Sequence, residues 1–423
     1  MKKTEFSGKS LILIMIVGMI TAAGCGTAGS NKKTDMTREY TKGTYGYDKI
    51  FLEKNNISTI ELTDPISGSR VLLAPGLQGR VMTSSADGDS GLSFGWINYK
   101  LIESGEQNTQ FNPFGGEERF WLGPEGGPFS IYFRKGDEQV YSNWKVPDVI
   151  DTQPFEIVSA GKDKTEFSQN FTVTNSTGTS LDVGVERTVK LLSGTEIMSA
   201  LNVSLDGSVK YVGYESVNRI TNNGTEAWTE KSGFLSIWML SMFTPSSSGI
   251  VFIPFKPGST AAMGKIVSDD YFGTVPPDRL VVRDDKIFFS IDGKFRSKIG
   301  ISPERALPFA GSYDPDGKTL TILWFSLPGT PGPYVNSKWG NQDNPLKGDA
   351  VNSYNDGPVE DGSIMGPFYE IESSSPAAFL KPGEKMTHVQ RIFHFTGSEN
   401  ELNRITEKIF SLKLEQITAS LKK

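Results

Sequence analysis

The sequence predicts an all-β protein made of antiparallel sheets, and two kinds of observation support this. Between residues 57 and 397, short stretches alternate apolar with polar residues, or run briefly apolar, with valine, isoleucine, phenylalanine and threonine prominent. Turn-forming pairs separate many of them: Asp87-Gly88, Asp206-Gly207, Asn223-Gly224, Asp292-Gly293 and Asp316-Gly317. No repeat of fixed period is evident, so a β-sandwich is favoured over a propeller or a solenoid.

The strand signals extend over most of the chain. The clearest are ELTDPISGSRVLLAPGLQGRVM (61–82), EFSQNFTVTN (166–175), LDVGVERTVKLLSG (181–194), LVVRDDKIFFSIDGKF (280–295), KTLTILWFSL (318–327) and KMTHVQRIFHF (385–395). No linker-like stretch divides this region. We therefore expect residues 46–397 to form one β domain, which is long enough to bury a large core.

The last 26 residues, 398–423, have a helical pattern instead. Ser398 and Glu401 have the spacing of a capping box. The apolar positions Leu402, Ile405, Ile409, Leu412 and Leu421 fall close to one helical stripe. We predict an amphipathic helix that packs on the β domain and covers a sheet edge, with membrane binding as the less favoured alternative.

The first residues have the pattern of a bacterial lipoprotein signal. Lysines precede an apolar run at 11–20, which is too short for a stable transmembrane helix, and small residues lead to Cys25. We predict a signal peptide over 1–24, lipidation at Cys25 and a flexible tether over 25–45; an uncleaved anchor is the less favoured alternative. Because Gly26 offers no acidic retention signal, we expect a membrane-anchored lipoprotein outside the cytoplasm, in the outer membrane where there is one.

Composition excludes several classes of function. The formal net charge is −6, which argues against a nucleic-acid partner. A single cysteine allows no intrachain disulfide, and the only two histidines, His388 and His394, lie too far apart on one strand to share a metal. Neither a G-x-S-x-G elbow nor a G-x-G-x-x-G loop occurs. We therefore expect no metal and no cofactor.

Two carboxylates near the C-terminus are candidates for chemistry. In GPFYEIESSSP (366–376), strand alternation places Glu370 and Glu372 on one face. Burying both would be costly unless cations or polar ligands met them, so they are either solvated or line a pocket. The serines that follow offer hydroxyl partners and favour a pocket.

The stretch FNPFGGEERFWLGPEGGPF (111–129) is the second candidate. If residues 117–122 form a strand, Glu117, Arg119 and Trp121 share one face. A guanidinium beside an indole suits a sugar ring, because it offers planar donors for hydroxyls and a flat apolar surface for C–H groups. The alternative is an Arg119–Glu117 pair with Trp121 in the core.

These two stretches are expected to meet in space. Arg119 requires an anionic or hydroxylated partner, and the paired carboxylates Glu370 and Glu372 require a cation, so one cleft would satisfy both. Arg305 and Asn355, which flank strands and turns, are weaker candidates for the rim of that cleft.

Four segments together resemble the galactose mutarotase-like superfamily. They are GRVM (79–82), GGEERFWLGPEGG (115–127), YVGYESVNRITNNG (211–224) and YEIESSSPAAFLKPGEKMTHVQRIFHF (369–395), and the likeness is greatest to bacterial lipoprotein-type members. The resemblance implies a β-supersandwich with a sugar-binding cleft. It also implies that Glu372, on the strand before the PGE turn, stands at the place of the general base, with Glu370 as its neighbour. The general acid in such enzymes is a mid-chain histidine, and this chain has none before His388.

Three functions are consistent with the sequence. The favoured one is a carbohydrate-binding lipoprotein without turnover, whose partners are a carbohydrate and, through the lipid, a membrane. The alternative is a carbohydrate-active enzyme, aldose epimerase-like or related, that uses a C-terminal glutamate as base. The second alternative is a structural surface lipoprotein with an inactive cleft.

Overall fold

A computed structural model describes residues 39–205, 207–359 and 361–422 of the protein. Within these residues there are eighteen strands. They are β1 Ile60–Thr63, β2 Arg70–Ala74, β3 Arg80–Ser85, β4 Arg119–Gly123, β5 Glu156–Ala160, β6 Lys164–Thr174, β7 Ser180–Leu191, β8 Lys210–Asn222, β9 Ser236–Phe243, β10 Ile250–Pro254, β11 Leu280–Arg283, β12 Lys286–Ser290, β13 Ser297–Ile301, β14 Phe309–Asp314, β15 Thr319–Phe325, β16 Val351–Asn355, β17 Tyr369–Ser374 and β18 Lys385–Thr396.

The same part of the chain forms seven α-helices, most of them short. They are α1 Tyr45–Lys54, α2 Tyr99–Ser104, α3 Asp148–Asp151, α4 Gly194–Leu201, α5 Thr260–Met263, α6 Glu399–Phe410 and α7 Leu414–Ala419. Strands dominate, and the predicted all-β class is confirmed.

The strands form three sheets, and their pairings are antiparallel. The large sheet has the order β11-β12-β10-β14-β15-β18-β8-β7-β6-β5, the middle sheet β13-β16-β17-β9-β4, and the N-terminal sheet β1-β2-β3. A bridge between Val81 and Glu118 joins the N-terminal sheet to the edge of the middle sheet. These two sheets therefore continue one layer of the sandwich.

The main core lies between the large sheet and the middle sheet. Alternation along β18 turns His388, Gln390 and Ile392 toward the middle sheet. Gln390 accepts a hydrogen bond from Ser373 of β17 at 2.7 Å, which ties the two layers together. Around such polar contacts the inner faces bury apolar side chains of a continuous cluster, which also includes Trp121 and Trp238 on the other face of the middle sheet.

Helices cover the opposite face of the large sheet. Phe393 and Phe395, which alternate with the inward residues of β18, pack with Leu402 and Ile405 of α6. The C-terminal helix predicted over 398–423 is in fact two helices, α6 and α7. The chain breaks at Ser411, whose backbone is left-handed (φ 53°, ψ 41°), and this conformation ends a helix.

The described chain begins just before α1, a helix that the strand-oriented sequence analysis did not predict. Tyr45, its first residue, is fully buried. The predicted signal peptide, Cys25 and the tether as far as residue 38 lie outside the described residues. None of the helices in the described part of the chain has the length and apolar character needed to cross a membrane.

Candidate functional site

The candidate site lies on the face of the middle sheet that points away from the large sheet. Antiparallel pairing aligns Arg119 of β4 with Leu240 of β9, and Leu240 with Glu372 of β17. Glu370, two residues earlier on β17, is paired with Tyr354, which is in turn paired with Lys298 of β13. Since cross-strand partners share a face, the four charged residues gather on one surface.

Arg119, Lys298, Glu370 and Glu372 form what we call the charge cluster. Arg119 Nη2 lies 2.6 Å from Glu370 Oε1, and Lys298 Nζ lies 2.8 Å from Glu372 Oε2. The side chain of Glu372 is 1% exposed and that of Lys298 is 12% exposed. The cluster thus holds two ion pairs almost out of contact with solvent, where charges require close partners.

Two tryptophans form the apolar wall of the cluster. The guanidinium of Arg119 lies 5.0 Å from the ring of Trp121, and Lys298 Nζ lies 4.9 Å from the ring of Trp238. The two indoles meet edge to face, with centroids 5.6 Å apart. Trp238 Nε1 also donates to Glu372 Oε2 at 2.9 Å. Charged hydrogen-bonding groups and flat apolar rings therefore alternate over the same surface.

Tyr271 and Asp349 cover one side of the cluster. The Tyr271 hydroxyl donates to Asp349, and Asn352 Nδ2 donates to the Tyr271 oxygen at 3.2 Å. The Asp349 carboxylate rests on Gly300 of β13, where an added Cβ would lie 2.1 Å from Asp349 Oδ2. Glycine at this strand position therefore allows the carboxylate to approach the sheet.

Glu125 approaches the cluster from the loop after β4. Its backbone N–H donates to Ser337 Oγ at 3.3 Å, which fixes the loop against the 334–349 segment. Burial raises the pKa of Glu125 to about 7; the charge of Lys298 lowers it and that of Glu372 raises it. The nearby indoles of Trp339 and Trp144 also oppose the rise in its pKa. Glu125 is thus a carboxyl group that exchanges its proton near neutral pH.

The pKa values of other groups in the site are also shifted from their usual values. Burial raises the pKa of Glu370, an effect that Arg119 opposes and the charge of Glu372 reinforces. Burial also raises the pKa of Asp349 to about 6. The pKa of Lys298 would fall through burial, but the carboxylates of Glu372 and Glu125 hold it above its usual value. Around a persistently charged lysine, the site therefore contains carboxyl groups that hold protons unusually well.

Several buried polar atoms of the site have no hydrogen-bond partner among the described residues. They are Glu372 Oε1, Arg119 Nε and Nη1, and Trp121 Nε1. Most buried polar groups in proteins are paired, so such a group requires an explanation. One acceptor and several donors on one surface match a ligand that carries hydroxyl groups, each of which both donates and accepts.

Two cavities lie beside the charge cluster rather than on it. One, of about 780 Å³, is lined by residues that include Tyr132, Arg134 and Trp144; the other, of about 370 Å³, by residues that include Trp339 and Lys338. The rings of Trp144 and Trp339 stack 6.1 Å apart. Both tryptophans also reach Glu125, so each cavity borders the site at a tryptophan.

The structure brings together four of the residues selected from the sequence: Arg119, Trp121, Glu370 and Glu372. Glu117, expected on the same face, instead contacts Ser84 and His394 at 2.8 and 3.0 Å. Strand β4 begins only at Arg119, so the alternation assumed for 117–122 does not extend to Glu117.

The two residues proposed for the rim lie elsewhere. Arg305 donates to backbone carbonyls of Lys256, Gly258 and Gly264, which it holds in place. Asn355 lies on the opposite face of β16 from Tyr354, and it bonds backbone groups of the loop between β12 and β13. Their hydrogen bonds within the described chain are those of structural residues.

The sequence analysis missed Glu125, Trp238, Tyr271, Lys298 and Asp349. Glu125 lies within the glycine-rich stretch 111–129, but no pattern in the sequence indicated that its side chain faces the site. Lys298 alternates with apolar residues in SKIGI, which is a signal for a polar face of a strand. Tyr271 and Asp349 belong to loops, and no period predicts where a loop folds back.

Comparison with solved structures found matches of low sequence identity. A candidate aldose 1-epimerase from Escherichia coli K12 matches at 10% identity, covering 80% of this chain and 98% of that one, with a TM-score of 0.45. A galactose mutarotase-like protein from Lactobacillus casei matches at 11% identity, 80% and 100% coverage, and a TM-score of 0.44. The second of these proteins is described by the name of the superfamily that the sequence motifs resemble.

The chain itself belongs to the family described as a family of unknown function, DUF6786, which matches residues 43–421. A search of curated proteins found no match. With identities near 10% and TM-scores below 0.5, the structural similarities carry no conclusion about binding or catalysis. What this protein binds must be inferred from its own side chains.

Proposed function

We propose that the protein binds a carbohydrate at the charge cluster on the outer face of the middle sheet. The observation that supports this most directly is that Glu372 Oε1 and Arg119 Nη1, which have no partner among the described residues, lie beside the rings of Trp121 and Trp238. A sugar has hydroxyl groups at its edge and C–H groups on its faces. The first suit carboxylate and guanidinium groups, and the second suit indole rings.

We also propose that this binding protein is a membrane-anchored lipoprotein outside the cytoplasm, tethered through Cys25. The support is the sequence pattern of residues 1–25, in which an apolar run ends at small residues before a lone cysteine. Mass spectrometry of the N-terminal peptide tests it. A lipid-modified cysteine at the mature N-terminus is expected, and an intact peptide spanning residues 11–30 would contradict the proposal.

A second candidate function is an aldose epimerase-like enzyme with Glu372 as the general base. The specific observation is that Glu372 has one oxygen paired with Lys298 and the other, Oε1, unpartnered within the described chain. Lys298 holds the carboxylate in place, and the unpartnered oxygen is positioned to accept a proton. Such a base contributes about 10²- to 10⁴-fold to a rate.

Binding and turnover can be separated with the full-length protein in detergent. A glycan array identifies ligands, calorimetry measures affinity, and the variants Glu372→Gln and Trp121→Ala divide the roles. Glu372→Gln is expected to abolish any turnover and to leave affinity within about tenfold, or 1.4 kcal/mol, because a base acts mainly in the transition state. Trp121→Ala is expected to weaken binding itself, because it removes the stacking surface.

Glu156→Gln, on the exposed edge strand β5, is the matched control and should change neither property. Because Trp121 is buried, its variant must first be shown to fold, by circular dichroism at the assay temperature. An array without any signal, or unchanged binding in both site variants, would favour the remaining alternative, a structural surface lipoprotein.

A further inference from the structure

Three loops beside the middle sheet carry exposed apolar side chains. The loops are the segment between α5 and β11, the loop between β12 and β13, and the loop between β16 and β17. Their exposed residues, which we call the loop patch, are Phe272 (45% exposed), Phe295 (41%), Ile364 (43%) and Met365 (40%). Single exposed apolar residues are common in proteins, whereas a connected group of them marks an interaction surface.

The three loops contact one another. A Cβ added at Gly357 would lie 2.5 Å from the backbone nitrogens of Phe295 and Arg296, so the β16–β17 loop lies directly against the β12–β13 loop. The guanidinium of Arg296 lies 3.9 Å from the ring centroid of Phe272, and the same ring packs on Tyr354 at 5.9 Å. The rings of the loop patch therefore belong to one connected surface.

The β16–β17 loop is held in place at both of its ends. The backbone N–H of Gly366 donates to Asp356 Oδ2 at 2.6 Å and closes the base of the loop. A Cβ added at Gly293 would lie 2.7 Å from the Cβ of Pro367, so this end of the loop also touches the β12–β13 loop. The two loop-patch residues of the β16–β17 loop immediately precede Gly366 in the chain. They are thus held beside the aromatic residues of the patch.

Two cations border the loop patch. Lys294 and Arg296 flank Phe295 in the chain, and neither takes part in an ion pair within the described part of the protein. The exposed carboxylate of Asp361, on the β16–β17 loop, accepts from the hydroxyl of Ser363 at 2.6 Å. Apolar side chains with unpaired cations beside them match the boundary between the acyl chains and the phosphate groups of a membrane.

The described chain begins within reach of the loop patch. Thr44 is bridged to Leu92. Three residues further along, Gly95 is bridged to Phe243, which is paired with Tyr369 at the start of β17. Each bridge spans about 5 Å and the three intervening residues at most about 11 Å, so Thr44 lies within about 30 Å of Tyr369. Cys25 can lie at most about 50 Å from Glu39, so a lipid on Cys25 and the loop patch can contact the same membrane.

We propose that the loop patch rests on the phospholipid bilayer to which Cys25 anchors the protein. This rests on the lipoprotein proposed above. The four apolar side chains enter the layer between headgroups and acyl chains, and Lys294 and Arg296 meet lipid phosphate groups. The lipid keeps the protein at the membrane, whereas the loop patch determines which side of the β domain faces it.

The test is a fluorescence measurement on the mature lipidated protein in vesicles of phosphatidylcholine and phosphatidylglycerol. The single cysteine of the chain would carry the lipid, so a cysteine introduced by Met365→Cys is the only free thiol and can be labelled with an environment-sensitive dye. The dye at this position should show blue-shifted emission and lose most of its intensity when nitroxide-labelled lipid is included. Phe295→Ser and Lys294→Glu, each added to Met365→Cys, should weaken this quenching.

The controls lie on the exposed edge strand β5. A dye at Val158→Cys, a position that is 61% exposed, should be neither blue-shifted nor quenched. Ile157→Ser, which removes another exposed apolar side chain, should leave the quenching at Met365→Cys unchanged. Circular dichroism checks that every variant is folded.

Three results would overturn the proposal. Equal quenching at the two dye positions, or none at either, would mean that the loop patch does not face the bilayer. A blue shift at Met365→Cys that depends on protein concentration, without quenching by nitroxide lipid, would mean that a second copy of the chain covers the patch. An unmodified thiol at Cys25 in the purified protein would instead contradict the lipid anchor itself, on which the proposal depends.

Discussion

Two neighbouring residues, Glu118 and Arg119, enter buried ion pairs on opposite faces of the middle sheet, whose edge strand β4 begins at Arg119. On the inner face, Glu118 Oε1 lies 2.7 Å from Arg187 of the large sheet. Its other oxygen accepts from Ser216 at 3.0 Å and from Gln390 at 2.8 Å. On the outer face, Arg119 pairs with Glu370 at 2.6 Å.

The difference between the two pairs lies in what remains unpaired. Both oxygens of Glu118 have partners, and Arg187 also donates to Asn218 and to the carbonyl of Gly79. On the outer face, Arg119 Nε and Nη1 have no partner among the described residues. A saturated network specifies a packed core, whereas an unsaturated one is suited to receiving a ligand. Both pairs are buried, so they differ in the saturation of their polar atoms and not in burial.

The largest loss of stability is expected when the cation of the inner-face ion pair is removed. Arg187→Ala leaves the Glu118 carboxylate buried without a cation and should lower the free energy of unfolding by about 3–5 kcal/mol. Urea denaturation followed by circular dichroism measures this. Lys164→Ala, which breaks the exposed pair with Glu166, is the control and should change the free energy of unfolding far less. Equal losses in both variants would contradict the structural role of the inner network.

A smaller loss of stability is expected on the outer face. Arg119→Ala should cost about 1–3 kcal/mol, because Glu370, whose pKa burial already raises, can take up a proton instead of remaining charged. The same variant should weaken carbohydrate binding. Denaturation and calorimetry on one preparation test both statements, and a stability loss as large as that of Arg187→Ala would erase the distinction between the faces.

The smallest expected effect is on how the free energy of unfolding depends on pH. Each titrating group changes this free energy by at most about 1.4 kcal/mol per pH unit. Burial lowers the pKa of His388, on the inner side, from 6.5 to about 3. Between these pH values the unfolded chain binds a proton at His388 that the folded protein does not bind. The free energy of unfolding therefore falls as the pH drops from about 6.5 toward 3. Burial raises the pKa of Glu125 from 4.5 to about 7, so the folded protein holds a proton that the unfolded chain has lost, and stability falls as pH rises through this window.

Denaturation curves at pH 4 to 8 (about one unit apart) separate these two contributions. His388→Gln should reduce the acid-side loss, and Glu125→Gln should reduce the alkaline-side loss, to which Glu370 and Asp349 also contribute. If the slope of the free energy of unfolding against pH changed in the same direction in both variants, the two regions could not respond to pH in opposite directions, and the assignment would be wrong.

Much of the fold could be predicted because it depends on local signals. Period-two alternation located β7 and β18, and the PGE turn with its flanking strands indicated the superfamily. The helix α1 was missed because it lies before the strand signals begin. The C-terminal helix was correctly predicted to exist, but its break at Ser411 was not, since a serine carries no strong signal for a left-handed backbone.

The sequence by itself determined the all-β class and the faces on which Glu370, Glu372, Arg119 and Trp121 lie, because alternation along a strand is a local property. Only the tertiary structure decided which strands became neighbours, and with that which charges met. Lys298 reaches Glu372 because β13, β16 and β17 are adjacent in the middle sheet, a pairing between segments more than 70 residues apart. Glu117 precedes the start of β4, and Asn355 lies on the opposite face of β16 from Tyr354, so neither joins the site. Register across a sheet is set by the packing of whole faces, which no single segment encodes.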